Sequence, residues 1–161
     1  ALPLYRALGK FGLPLVSNQV RYSLLDRRIE KNGVLEAAAD LGVGIIAYSP
    51  LAQGILSGKF HDDPGLVHRT PGFRKFMPAF RRRGLERSRP VIEALRRIAP
   101  VYGATPAQVA INWLIARHGE TVTAIPGATK PSQVADFTAA MSFRLSGSDI
   151  EELDRVSAPF K

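Results

Sequence analysis

Short apolar segments alternate with longer amphipathic segments along this chain, and their order constrains the fold more than any other sequence feature. Three segments have the length and composition of strands, at residues 15–20, 43–48 and 121–125. Segments with helical periodicity follow them, at residues 32–41, 88–102 and 106–117 and from residues 130 and 146 onward. Repeated strand–helix units predict an α/β fold with three parallel strands and flanking helices. In closed barrels and in open parallel sheets alike, ligands bind at the carboxyl ends of the strands.

Two helices carry capping signals at their starts. Thr105 is placed to be the N-cap of the helix over residues 106–117, with a proline at the first helical position. Ser148 is predicted to cap the last helix, with Glu151 three residues on to complete a capping box. Residues 59–87 show little periodicity and contain several glycines and prolines, so we expect a long irregular loop there.

Composition places the chain in the class of soluble globular proteins. Its 161 residues are 45% hydrophobic, which suffices for one core and one domain. The strand at residues 43–48 is apolar nearly throughout, which predicts cover on both of its faces. The absence of cysteine excludes disulfides and thiolate metal sites and favours a reducing cytoplasm. No apolar run approaches about 18 residues, and the first residues lack a signal-peptide pattern, so we expect a cytoplasmic location and no membrane partner.

The net charge of +8 comes largely from residues 69–89, where arginines alternate with phenylalanines and prolines. None of the standard nucleic-acid-binding signatures accompanies them. We therefore expect a solvated or phosphate-facing loop and no nucleic-acid partner.

The remaining titratable side chains show no catalytic or metal-binding spacing. His61, His68 and His118 lie in or beside predicted loops, never at i, i+4, and are expected to be solvent-exposed with no metal bound. Asp26, Glu30 and the carboxylates of the last helix are expected on solvated helix faces.

The residues at the three predicted strand ends are small, polar and uncharged. Gln19 ends the first strand, residues 48–54 (YSPLAQG) follow the second, and residues 126–129 (PGAT) follow the third. One flat aromatic ring, amides, hydroxyls and several glycines suit a large ligand that stacks and accepts hydrogen bonds from the backbone. The same features also occur in ordinary tight turns and helix caps.

Four motifs in order give the chain a family resemblance: SNQVRYSLLDR at residues 17–27, AYSPLAQGILSGKF at 47–60, YGATPAQVAINWL at 102–114 and IPGATKPSQVADF at 125–137. Together they resemble the aldo-keto reductases over nearly the whole chain. That family folds as a (β/α)8 barrel and transfers a hydride from NADPH to an aldehyde or ketone. The resemblance implies that residues 1–161 are the C-terminal portion of one such barrel domain, with its last three strands.

The resemblance also implies roles for the strand-end residues in binding NADP(H). Gln19 resembles the residue that hydrogen-bonds the nicotinamide carboxamide, and Tyr48 the aromatic residue on which the nicotinamide ring stacks. The turn that holds the pyrophosphate is matched by Ser49, Pro50, Leu51, Ala52 and Gly54. The charged residues that follow this turn are matched by Lys59 and Arg69. The positions around the adenosine 2′-phosphate and adenine are matched by Gly127, Thr129, Gln133 and Asp136.

The chain departs from the family pattern in two respects. Phe137 stands where the family usually has an asparagine beside the acidic residue near adenine, so either this contact is weaker or the ring packs beneath its helix. A complete barrel needs about 200 residues or more, and the family's catalytic Asp, Tyr, Lys and His lie in the first half of the barrel. No catalytic residue is therefore assigned, and this chain alone is expected to be inactive.

Two hypotheses stay open from the sequence. In the first, the chain is the NADP(H)-binding part of an aldo-keto reductase, truncated or complemented by an N-terminal half elsewhere, with a small carbonyl compound as substrate. In the second, it is a non-catalytic nucleotide-binding or interaction module whose exposed strand edges associate with another chain or a second copy of itself. The carbonyl substrate and a strict preference for NADP over NAD do not follow from the sequence.

Overall fold

The computed structural model describes residues 2–161 and contains one parallel sheet with helices packed on one of its faces. The strands are β1 (Ser17–Arg21), β2 (Gly44–Tyr48) and β3 (Val122–Ile125), in the spatial order β1-β2-β3. Arg21 pairs with Tyr48 and Tyr48 pairs with Ile125, so the three carboxyl ends lie level with one another. The predicted strand–helix order and parallel sheet are confirmed.

The helices of the described residues connect and cover the strands. In chain order they are α1 (Leu2–Gly9), α2 (Val34–Asp40), α3 (Lys59–Asp62), α4 (Leu66–Arg69), α5 (Arg82–Ile98), α6 (Pro106–Arg117), α7 (Pro131–Thr138) and α8 (Gly147–Ser157). None of these helices is both long and apolar enough to cross a lipid bilayer.

Helix α5 begins six residues before its predicted start, inside the stretch expected to be an irregular loop. Leu85, Ile92 and Leu95 lie on its buried face, seven and three residues apart, as expected for one face of a helix. Arginine is a good helix former, and Arg82 pairs with Glu86 one turn later. The arginines of this region therefore lie on the exposed side of a helix rather than in a loop.

The sheet is covered on one face only. Ile45, Ala47 and Val122 point toward the helices and are buried. On the opposite face Tyr48 and Ile125 are 40% and 43% exposed. The expectation that β2 is covered on both faces is therefore wrong for residues 2–161, in which only the face that carries Ile45 and Ala47 is fully buried.

One of the two predicted helix caps is confirmed. Thr105 Oγ1 accepts a hydrogen bond from the backbone of Gln108 at 3.2 Å, and Gln108 Oε1 accepts one from the backbone of Thr105 at 2.8 Å, which completes a capping box. At α8 the cap is Ser146, whose side chain accepts from the backbone of Asp149 at 3.2 Å. Ser148 lies inside the helix, so its predicted capping role is wrong.

A buried ionic cluster joins the segment after β1 to α6 and α8. The side chain of Arg27 is fully buried and donates to both carboxylate oxygens of Glu30 at 2.7 Å. It also contacts Asp154 at 3.3 Å, and Arg117 pairs with the same aspartate. Asp26 is buried as well. The prediction of solvated helix faces is therefore wrong for Asp26, Glu30 and Asp154, because distant segments converge on them in the folded chain.

The histidines divide between the surface and the interior. His68 is exposed, as expected, but His61 and His118 are half-buried. His61 Nε2 lies 3.1 Å from the carbonyl oxygen of Leu85, and His118 Nε2 lies 2.6 Å from Tyr22 Oη. These contacts cross 24 and 96 residues of sequence, which local spacing does not show.

Candidate functional site

A cleft of about 470 Å³ lies at the carboxyl ends of β2 and β3. The turn after β2 forms one wall, and the segment after β3 with α7 forms the other. Its volume lies in the range of small-molecule and cofactor sites. Of the thirteen residues predicted to bind a cofactor, nine line this cleft: Tyr48, Ser49, Pro50, Leu51, Gly54, Lys59, Gly127, Gln133 and Asp136.

The turn after β2 has an unusual backbone. Ser49, Ala52 and Gln53 adopt positive φ values of 53°, 48° and 60°, and Gly54 follows at 95°. A non-glycine residue in this region costs about 1–3 kcal/mol. Hydrogen bonds within the turn hold the shape, including Gln53 Nε2 to Ser49 Oγ at 3.2 Å. Since strained turns concentrate at functional sites, this backbone supports the assignment of the cleft as a binding site.

Two cations and one carboxylate carry the charge of the cleft. Lys59 and Arg74 line it on the side of the turn, and Asp136 lies on α7. Arg74 Nε donates to the carbonyl oxygen of Gln53 at 3.2 Å, which fixes the guanidinium against the strained turn. The positive side of the cleft thus lies beside the turn, where an anionic group such as a phosphate would be favoured.

Arg74 was not predicted from the sequence, whereas Arg69 was. Arg69 is exposed on α4, pairs with Asp63 and does not line the cleft. Arginines recur every few residues through this segment, so only its folded path decides which of them faces the cleft. The half-buried position of Arg74 and its bond to the turn separate it from the others.

Three other predicted residues also lie outside the cleft lining. Gln19 is exposed on the open face of the sheet, two positions before the end of β1. Ala52 is buried beneath the turn and contributes its backbone to the turn's shape. Thr129 lies on a neighbouring surface, and its backbone donates to Gln133 Oε1 at 2.7 Å.

The start of α7 is already capped by its own side chain. Gln133 Oε1 accepts hydrogen bonds from the backbone N–H groups of Thr129 and Lys130 at 2.7 and 3.1 Å. These two backbone donors are thereby satisfied within the chain. Lys59 and Arg74 are therefore better placed than this helix start to hold a negative charge.

Phe137 forms an apolar part of the cleft wall and is half-buried. It lies next to Asp136, so the departure from the family pattern falls inside the cleft itself. A phenyl ring can pack against a flat ligand but cannot donate a hydrogen bond to it. This end of the cleft thus combines an apolar ring with the carboxylate of Asp136.

Most of the residues that line the cleft are uncharged. The residues that line it include one carboxylate and no histidine. The strongest pKa changes lie elsewhere, in the cluster behind β1. There burial raises the pKa of Tyr22, and burial followed by the charge of Arg117 lowers the pKa of His118 to about 4. Among residues 2–161, no three His, Asp or Glu side chains are grouped closely enough to hold a metal ion.

Comparisons with known proteins agree on one family. A sequence model of the Aldo/keto reductase family matches residues 3–158. A protein described as an uncharacterised oxidoreductase of Mycobacterium tuberculosis (strain H37Rv) is 39% identical over 156 residues, which are 97% of this chain and 46% of that protein. A probable aldo-keto reductase of Glycine max is 33% identical over 142 residues, which are 87% of this chain and 39% of that protein. The chain spans about half the length of the curated relatives it matches, or less.

The fold agrees with a solved structure as well. The glycerol dehydrogenase of Gluconobacter oxydans superimposes with a TM-score of 0.80 at 25% sequence identity. The match covers 98% of this chain and 47% of that protein. Sequence and structure therefore point to the same kind of protein.

Proposed function

This chain belongs to the aldo/keto reductase family, and from that premise we propose that it is the NADP(H)-binding, C-terminal part of an enzyme that transfers a hydride between NADPH and an aldehyde or ketone. Its relatives are oxidoreductases and aldo-keto reductases, which supports a general redox function. The observation that carries the finer proposal is the cleft, where nine residues predicted to bind a cofactor come together.

The residues of the cleft fit a dinucleotide with phosphate groups. Tyr48 is 40% exposed at the end of β2 and offers a flat surface on which a nicotinamide ring can stack. The strained turn lets backbone approach a pyrophosphate closely, with Gly54 at a φ of 95° that favours glycine. Lys59 and Arg74 supply the positive charge beside that turn. NADP(H) would bring the hydride to this site, and the chain's own residues would bind and orient it.

Reduction of a carbonyl also needs a proton donor, because negative charge develops on the carbonyl oxygen. Among the residues that line the cleft, this proposal assigns Tyr48 and Lys59 to binding the cofactor. In this proposal the catalytic groups belong to strands outside residues 1–161, in the remainder of a (β/α)8 barrel. The chain as given would then bind the cofactor without catalysing the reaction.

The exposed face of the sheet supports the proposal that further residues or a partner chain cover it. Gln19, Tyr48 and Ile125 are exposed there, and β1 and β3 each pair with only one strand within residues 2–161. An N-terminal half barrel, in the same polypeptide or a separate one, would cover this face and pair these edges. A second copy of the chain is the alternative occupant, and it belongs to the hypothesis of a non-catalytic nucleotide-binding module. A cytoplasmic location is part of the proposal in either case.

A fluorescence titration tests the cofactor assignment. NADPH is added to the folded 161-residue chain, to Tyr48→Ala and to the control Tyr5→Ala, whose side chain is exposed on α1, away from the cleft. We expect saturable binding near the micromolar range, about −8 kcal/mol. Loss of the stacking surface should weaken binding by about 1–3 kcal/mol in Tyr48→Ala and leave Tyr5→Ala unchanged.

Two results would contradict the proposal. A chain that is folded by circular dichroism but does not bind NADPH would remove the cofactor assignment. Equal dissociation constants for the wild-type chain and Tyr48→Ala would remove Tyr48 from the site. Light scattering on the same sample separates the two hypotheses, because a stable dimer favours the self-associating module and a monomer favours the half barrel.

A further inference from the structure

A second cavity, of about 390 Å³, lies on the other side of the turn after β2 and is not used by the proposed cofactor site. It lies among Arg21 at the end of β1, Ala52 and Ile55 of the turn, the first two turns of α5, and Phe160 near the end of the chain. Arg21 is the register partner of Tyr48. The cavity therefore begins one strand away from the proposed nicotinamide-stacking residue, on the same carboxyl-end side of the sheet.

The lining of this cavity combines an apolar floor with three arginines. Ile55 and Phe80 are buried and form part of the floor. Arg21, Arg83 and Arg87 line the cavity, and no Asp or Glu is among the lining residues. Three guanidinium groups around one apolar cavity repel one another, and an anion placed between them would relieve that repulsion.

The arginines keep donors available for such an anion. Arg87 is held in place, because its guanidinium lies 4.7 Å from the centre of the Phe160 ring and donates to the carbonyl oxygen of Pro159 at 2.6 Å. Arg21 makes one long contact, 3.5 Å from Asp26. Arg83 is exposed and forms no ion pair with any residue of the described range 2–161. Since a guanidinium has five N–H donors, each of the three can donate to a carboxylate or phosphate.

We propose that this cavity binds a small molecule with an apolar body and a carboxylate or phosphate group, held by Arg21, Arg83 and Arg87. The assignment of that molecule as the carbonyl substrate rests on the function proposed above. In that case the enzyme acts on aldehydes or ketones that carry an anionic group, and the cavity selects them by charge and by apolar contact. The neutral carbonyl compounds of the same shape are poorer ligands.

Isothermal titration calorimetry with simple probes tests the site on the 161-residue chain. The probes are 4-phenylbutyrate, its uncharged amide 4-phenylbutyramide, and phenyl phosphate, each with and without saturating NADPH. The variants are Arg83→Met and Arg87→Met. The matched control is Arg82→Met, which removes one exposed charge from the adjacent position but does not line the cavity.

We expect at least one of the two anions to bind at a 1:1 ratio and the amide at least tenfold more weakly. Whichever anion binds more tightly identifies the group that the arginines recognise. Arg83→Met and Arg87→Met should each lower the affinity for the anion by roughly tenfold, as expected for loss of a hydrogen bond between charged groups. Arg82→Met should leave this affinity unchanged. NADPH binding should be unchanged by saturating probe, because the two cavities are separate.

The site would be refuted by equal affinity for the amide and the anions, by an equal loss in Arg82→Met, or by displacement of NADPH by the probe. Unchanged circular dichroism spectra of the variants show that they are folded. The two proposals can fail separately. Anion binding that needs the arginines, in a chain that does not bind NADPH, supports the site and removes the cofactor assignment. A chain that binds NADPH but shows no preference for the anions supports the cofactor assignment and removes the anion site.

Discussion

The half-buried imidazole of His118 should make the stability of the chain depend on pH between neutral and mildly acidic conditions. His118 Nε2 lies 2.6 Å from Tyr22 Oη, which donates to Glu30 Oε1 at 2.7 Å. Burial acts to raise the pKa of Glu30, but hydrogen bonds from Arg27 and Tyr22 and the charges around it hold that pKa below its usual value. Glu30 is therefore an ionised acceptor, the proton of Tyr22 is committed to it, and His118 Nε2 must be the donor to Tyr22.

The size of this pH-dependent change in stability follows from the surroundings of the His118 ring. Burial is the largest cause of the lowered pKa of His118, and the charges of Arg117 and Arg27 add to it against the opposing charge of Glu30. The pKa falls from the ordinary value of 6.5 to about 4. At about 1.4 kcal/mol per pKa unit this corresponds to about 3 kcal/mol at most, and solvent screening of a half-buried group reduces it to about 1–2 kcal/mol.

Proton linkage determines whether the free energy of unfolding rises or falls with pH. The unfolded chain protonates this histidine near its ordinary pKa of 6.5, whereas the folded chain does so only near 4. Between these values the unfolded state binds more protons, so the free energy of unfolding falls as the pH falls. The stabilisation is complete above pH 6.5 and is lost as the pH passes down through about 4.

Urea unfolding followed by the fluorescence of Trp113 measures this effect. Trp113 is fully buried 5.9 Å from the ring of Tyr22, so it reports on the cluster. Between pH 6.5 and about 4, the wild-type chain should lose about 1–2 kcal/mol more stability than His118→Gln. The control His68→Gln changes an exposed histidine and should keep the wild-type loss. If His118→Gln lost as much stability as the wild-type chain, the imidazole would not be the group responsible.

Two further predictions concern the ionic cluster and the cofactor cleft. Arg27→Met leaves the buried carboxylate of Glu30 without its bidentate partner and should lower the free energy of unfolding by about 3–5 kcal/mol in urea unfolding; a loss under about 1 kcal/mol would show that the pair contributes little. Lys59→Ala and Arg74→Ala should each weaken the binding of NADPH more than that of NADH in fluorescence titrations, because both cations line the cleft and NADPH carries one negatively charged phosphate group more than NADH. Equal losses for the two cofactors would mean that neither cation contacts the extra phosphate.

The parts of the fold that local sequence determines were predictable. The strands, helix α6 and its capping box depend on residues within a few positions of one another, and they were predicted within about two residues. The start of α5 was missed, although Leu85, Ile92 and Leu95 have helical spacing, because glycine, proline and arginine around them suggested a loop. Ser146 and Ser148 both have the residue type of an N-cap, and only the backbone at Ser146 shows which one caps α8.

The ionic cluster was not predictable, because it joins residues 26–30 to helix α8, more than 100 residues further along the chain. Arg27 bonds to Ser157 across 130 positions and reaches Asp154 across 127. Nothing local distinguishes such a buried pair from charges on a solvated helix. In the cleft, the turn after β2 was recognised from its motif. Local sequence did not show that Arg74 rather than Arg69 lines the cleft, because this depends on the folded path of residues 59–81.

One face of the sheet is buried and the other is exposed, and under the proposed function this difference separates cofactor binding from catalysis. The cleft needs only β2, β3 and the segments that follow them, and these lie entirely within the described residues. Its shape is maintained from behind, where the backbone N–H of Tyr22 donates to the carbonyl oxygen of Tyr48 at 3.4 Å and the Tyr22 ring belongs to the ionic cluster. The face of the sheet that carries Gln19 and Ile125 has no such support and is exposed to solvent. If the proposed function is correct, the ring stacked on Tyr48 presents its reactive face to this open side. A proton donor can then come only from the residues that cover it.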